Sequence, residues 1–175
     1  AADEQTWLQV NTSLTGMGVL SLATNGDGSS LLAGTEANAV HRLSNNTQSW
    51  SDITTNISTG LRENVVRTVV MRGTTLYAGT VAGGVYASTN GGQNWSSVNQ
   101  GLPSSANVRA LVVRGTSLFA AELDGGVYEL PLNANAWTPR RGTLPTTKFN
   151  TLFANGAQLL VGTDVGVFLS NNGGV

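Results

Sequence analysis

Residues 76–95 read LYAGTVAGGVYASTNGGQNW. Two short runs of apolar and β-branched residues, LYAGT and GVYAS, are separated by small residues, and a polar stretch rich in Asn and Gly then leads into Trp95. Short β-forming runs punctuated by Gly, Asn and Ser signal antiparallel hairpins. The pattern recurs. LLAGT at 31–35, LFAAE at 118–122 and LLVGT at 159–163 match LYAGT, and their third residues, Ala33, Ala78, Ala120 and Val161, step by 45, 42 and 41 positions. Each is followed by a second run (AVHRLS, GGVYAS, GGVYEL, VGVFLS) and preceded by another (GVLSLATNG, VVRTVVMRG, NVRALVVRG, FNTLFANG). A tryptophan follows Ala33, Ala78 and Ala120 by 17 residues, at Trp50, Trp95 and Trp137. No stretch keeps a 3.6-residue apolar period over a helix length. Each unit therefore predicts four strands, close to 18–24, 29–35, 39–44 and 50–55 in the first repeat.

Four-stranded units recurring every ~40–50 residues are the signature of propeller blades. The expected fold is all-β: one β-propeller domain over 1–175, with repeats near 16–59, 63–101, 106–143 and 148–175. The last repeat supplies three strands and ends in SNNGGV, the start of the motif that precedes Trp95; Thr6-Trp7 match its finish. The stretch 6–14 is thus expected to complete the last blade. Closure within one chain gives a four-bladed monomer. Exchange of N-terminal strands between two chains gives a homodimer with eight blades. A third arrangement has the chain as part of a longer propeller.

The stretch STNGGQNW resembles the Asp-box, the S-x-D-x-G-x-x-W hairpin of BNR-type β-propellers. Its surroundings resemble repeats of bacterial secreted BNR-like proteins, sortilin-type propellers and the propellers of xyloglucan-cleaving glycosidases. The second repeat fits best, with Ser88, Asn90, Gly92 and Trp95. The first, Ser44 to Trp50, is one residue short; the third keeps Trp137 but has lost the Ser and the Gly pair; the fourth is split between Ser170, Asn172, Gly174 and Trp7. These residue types suit folding. Ser and Asn side chains bond backbone within turns, Gly admits positive φ, and Trp packs back on its blade. Asn in place of Asp argues against a carboxylate metal site in the boxes.

Charged residues make up 11% of the chain and the net charge is −1, which leaves no basic face for nucleic acid or a membrane surface. No apolar run approaches the ~18 residues that span a bilayer. Cysteine is absent, which removes disulfides and a thiol nucleophile. The opening AADEQ suits the residues left by an A-x-A-type cleavage, and with the Gly-, Ser- and Asn-rich composition it gives an expected extracellular or periplasmic location.

Propeller ligands usually sit near the axis. The loops between second and third strands carry Glu36, Glu122, Asp124 and Asp164, and the opening strands carry the aligned pair Arg67 and Arg109. Together they form a candidate ligand-binding rim. The competing reading is a solvated edge. No catalytic set stands out. The tyrosines that a sialidase would need (Tyr77, Tyr86, Tyr128) fall inside strands, the lone His41 replaces a strand aromatic, and no phosphate loop or G-x-S-x-G motif occurs. The expectation is no metal, no cofactor, and a non-catalytic binding or scaffold module that contacts glycan or protein through the axial loop face. The alternatives are a carbohydrate-active enzyme using those carboxylates and an assembly factor for a larger complex.

Overall fold

The structure is a computed structural model and describes residues 9–10, 13–25, 28–37, 39–44, 49–54 and 65–174. Among the described residues fifteen strands form four antiparallel sheets in chain order. The first is β1 (Val19–Thr24), β2 (Ser30–Thr35), β3 (Val40–Ser44) and β4 (Trp50–Asp52). The second is β5 (Val66–Arg72), β6 (Thr75–Thr80), β7 (Val85–Ser88) and β8 (Ser96–Ser97). The third is β9 (Val108–Arg114), β10 (Ser117–Glu122), β11 (Gly126–Pro131) and β12 (Thr138–Pro139). The last sheet contains β13 (Phe149–Asn155), β14 (Gln158–Thr163) and β15 (Gly166–Ser170). These are the four blades of a β-propeller, and the first-repeat strands fall within two or three residues of the sequence expectation. Of residues 6–14, assigned from sequence to the outer strand of the last blade, 6–8 and 11–12 lie outside the described residues; 9–10 and 13–14 form no strand, and Leu14 is buried against Ala33 and Trp50 of the first blade.

The repeat alignment is the pairing register. Ala33, Ala78, Ala120 and Val161 each sit mid-strand, opposite Leu22, Val69, Leu111 and Leu152 on one side. On the other side they face His41, Tyr86, Tyr128 and Phe168. Three of the blades join their first two strands through two-residue loops, Gly73-Thr74, Gly115-Thr116 and Gly156-Ala157. The Gly in each has φ near +57°, the positive first position that a tight hairpin with right-handed strand twist requires.

Blades stack through their inner strands: β1 packs on β5, β5 on β9, and β9 on β13, with no comparable packing between β13 and β1. Each stack works as a knob over a gap. A Cβ added at Gly34 would lie 2.9 Å from Val66 Cγ1 of the next blade, and one at Gly79 would lie 2.7 Å from Val108 Cγ1. The knobs Val66, Val108 and Phe149 are fully buried. Burial of these apolar faces, worth about 25 cal/mol per Å² removed from water, is what holds one blade to the next.

Each outer-strand tryptophan reaches across the same junction. Trp95 Nε1 donates to Ile53 O (3.3 Å), Trp137 Nε1 to Val98 O (2.6 Å), and Trp50 Nε1 to Val10 O (2.7 Å). In every case the acceptor lies three residues after the preceding tryptophan in sequence. Val10 therefore occupies, beside the first blade, the place that an outer strand of a preceding blade holds elsewhere.

Candidate functional site

The motif turns are folding hardware. Ser88 Oγ donates to Asn90 Oδ1 (3.0 Å) and accepts from Gly92 N (2.8 Å), while Asn90 Oδ1 accepts from Asn94 N (2.9 Å). Ser170 repeats this, donating to Asn172 Oδ1 (2.8 Å) and accepting from Gly174 N (2.6 Å). Gly92 and Gly174 take φ of +91° and +84°, which a side chain would strain. Trp50, Trp95 and Trp137 are buried. Ser44 ends β3, and its side chain and Trp7 lie outside the described residues.

The four rim carboxylates have different surroundings. Glu122 is buried and accepts from three backbone amides: Asn107 N (3.0 Å), Asp124 N (3.1 Å) and Gly125 N. Its role is visible by alignment. The other blades carry Thr35, Thr80 and Thr163 at this position, and their hydroxyls bond the same turn, donating to Ala39 O, Gly84 O and Gly166 O. Glu122 is a larger version of that turn cap, tied in addition to the neighbouring inter-blade loop. Asp124 pairs with Lys148 at the surface, Asp164 accepts from Asn150 Nδ2 (2.6 Å), and Glu36 is exposed beside Gly18.

The arginines are placed differently. Every first strand carries a β-bulge at one equivalent site, so that Leu20, Arg67, Arg109 and Asn150 are each an extra residue in their ladder. Bulges re-aim the side chain they carry. Here Leu20, Arg67 and Arg109 line a central cavity of about 500 Å³ walled by the first strands of all four blades, with Ser21, Thr68 and Thr151 supplying hydroxyls. Among the described residues no Asp or Glu lines it. Arg67 Nε is a buried donor without a hydrogen-bond partner. A buried, unmatched guanidinium N–H costs free energy unless a ligand or water meets it. Bulge positions leave no mark in an apolar pattern, so the sequence aligned the two arginines without separating them from the acidic loops.

Two further titratable groups serve the blades. His41 is buried against the sheet, and burial lowers its pKa although Asp52 pulls the other way. At Glu129, burial opposes ionisation. Hydrogen bonds from Ser117 Oγ (2.6 Å) and Arg140 Nε (2.7 Å), with the charges of Arg140 and Arg114, nonetheless hold the carboxyl below its usual range. A depressed folded-state pKa stabilises fully above the unfolded value and is lost as pH falls through the folded one. Glu129→Gln should therefore flatten the fall in melting temperature below about pH 4, as read from melts between about pH 2 and 7.

Among the described residues no group of three or more His, Asp or Glu is placed to hold a metal. The four blades superpose on the computationally designed protein Ika4 with a TM-score of 0.73 and 12% identity, over 96% of this chain and 100% of that one. They match the extracellular domain of BT4673 from B. thetaiotaomicron with a TM-score of 0.73 and 15% identity, over 100% of this chain and 23% of that one. The Niastella koreensis GH74 enzyme gives 0.65 and 16%, over 85% of this chain and 26% of that one. The chain thus spans about a quarter of both natural structures, and identities this low speak to fold alone. No curated protein matches. The family model of the DUF6242 beta propeller domain matches residues 1–171.

Proposed function

The chain belongs to the DUF6242 beta propeller domain family, and on that scaffold we propose a non-catalytic, extracellular binding module whose axial cavity holds the anionic group of an acidic glycan. The observation that carries this reading is the pair Arg67 and Arg109, set on equivalent bulges in one cavity with no carboxylate among its described lining residues. Guanidinium groups bind carboxylate and sulfate through charge-assisted, planar hydrogen bonds. The surrounding Ser21, Thr68 and Thr151 hydroxyls are suited to sugar hydroxyls. The BT4673 match is to an extracellular domain, and the proposal takes the same setting for this fold. The engagement of Glu122 with backbone amides favours this reading over a hydrolase built on that carboxylate. The BNR/Asp-box kinship read from residues 88–95 fits the turn geometry and belongs to the same proposal.

Calorimetric titration of the full chain with oligogalacturonate and with neutral cello-oligosaccharide tests it. Oligogalacturonate should bind, and Arg67→Ala with Arg109→Ala should weaken it at least tenfold, the loss of one to two charged hydrogen bonds. Equal binding of the neutral sugar, or undiminished binding by the double variant, would overturn the proposal.

A further inference from the structure

The first and last blades each leave open the flank that every internal blade buries. On the first blade, Leu22 is 60% exposed, while its equivalents Val69, Leu111 and Leu152 are buried. Val19 is exposed as well, where Val66, Val108 and Phe149 are fully covered. On the last blade, Val167 is 71% exposed against the buried Val40, Val85 and Val127, and Phe153 of the same sheet is 64% exposed. A Cβ at Gly162 would meet only Thr151 of its own blade, whereas Gly34 and Gly79 meet the valine of the next one. One flank is thus a knob without a gap and the other a gap without a knob. They are the two halves of the interface that the chain already builds three times.

The edge of the last blade carries a matching site. A groove of about 420 Å³ runs along β15, lined by Val127, Arg140, Leu159, Phe168 and Gly174. By register these are the counterparts of Val40, Ile53, Leu76, Tyr86 and Gly92. Val40, Leu76 and Tyr86 share a core cluster with Trp95, and Ile53 packs on it. A Cβ at Gly92 would meet Ile53, and one at Gly174 would meet Arg140, so the correspondence holds in detail. The groove has the form of an outer-strand tryptophan site. The sequence holds one tryptophan beyond those already placed, Trp7, three residues before Val10.

Val10 is fixed beside the first blade through Trp50. Within one chain the first blade's open flank and the last blade's open flank are not packed on each other. We propose that the occupant is a second copy of this chain. Two copies pair head to tail at both junctions and close an eight-bladed ring. Such a contact is heterologous and ends in a closed ring when its rotation closes after two copies. The paired flanks continue interfaces already present inside the chain, so the partner needs no new chemistry.

Light scattering on the full chain should give twice the 18.1 kDa chain mass. Leu22→Asp and Val167→Asp each spoil one flank by setting a charge against an apolar face, and each should weaken association at least about 100-fold. Mixing the two variants restores one intact junction and should return dimer. A single-chain mass at all concentrations, open-ended growth, or no recovery on mixing would overturn the proposal. Both positions are exposed in the single chain, and circular dichroism checks that the variants fold. A second measurement does not depend on charge. The chain has no cysteine, so Val19→Cys and Val167→Cys copies should form an interchain disulfide when mixed and none when oxidised separately. Equal cross-linking of each variant with itself would show a different pairing.

Discussion

Trp95→Ala should lower stability by about 3–5 kcal/mol, the usual cost of truncating a buried aromatic. Trp95 is buried in the cluster of Leu32, Val40, Val66 and Leu76, so its ring belongs to two blades at once. Its indole N–H also satisfies Ile53 O, a carbonyl of the preceding blade's outer segment. Truncation leaves a cavity at a blade junction and an acceptor without its donor, and neither can be repaired from within one blade. For a chain of this length each kcal/mol moves the melting temperature by roughly 2–4 °C, so scanning calorimetry should show a drop of about 10 °C. Binding of an acidic sugar at the arginines should be unchanged below the transition. An unchanged melting temperature would show that the junction does not depend on the ring. Loss of sugar binding in folded protein would tie the motif to the ligand after all.

The fold was legible because propeller blades repeat both register and spacing. The 41-to-45-residue steps between Ala33, Ala78, Ala120 and Val161 follow the central pairs of the four sheets. The strand ends were legible too, since Gly73, Gly115 and Gly156 mark the tight hairpins. The site was legible only in part. Aligning Arg67 with Arg109 found the pair, but the turn of each side chain into the cavity comes from a bulge, one extra residue in a ladder, which changes no apolar period. The two open flanks were invisible for another reason. Val19 and Leu22 are apolar like their buried equivalents, and only the absence of a packed neighbour distinguishes them.

For Glu122, residue type and repeat alignment point to different roles. An acidic residue in an axial loop reads as a ligand group, yet LFAAE aligns with LYAGT, which places Glu122 on the threonine that caps the same turn in the other blades. Glu122→Ala should therefore behave as a folding variant. Its carboxylate holds Asn107 N, Asp124 N and Gly125 N in a buried setting, and a buried donor left without a partner costs about 1–3 kcal/mol. Some of these amides regain water once the side chain is gone, so the expected loss is about 3 kcal/mol in all, a fall of roughly 6–12 °C by calorimetry. Glu122→Thr separates the two parts of the role. A threonine there can close the turn as Thr80 does, where Thr80 Oγ1 accepts from Gly83 N (2.9 Å) and donates to Gly84 O (3.0 Å). It cannot reach the inter-blade loop at Asn107. This variant should recover at least half of the lost stability, and acidic-sugar affinity should be the same in all three proteins. If Glu122→Ala kept its melting temperature and lost sugar binding, the carboxylate would be part of the site rather than of the turn.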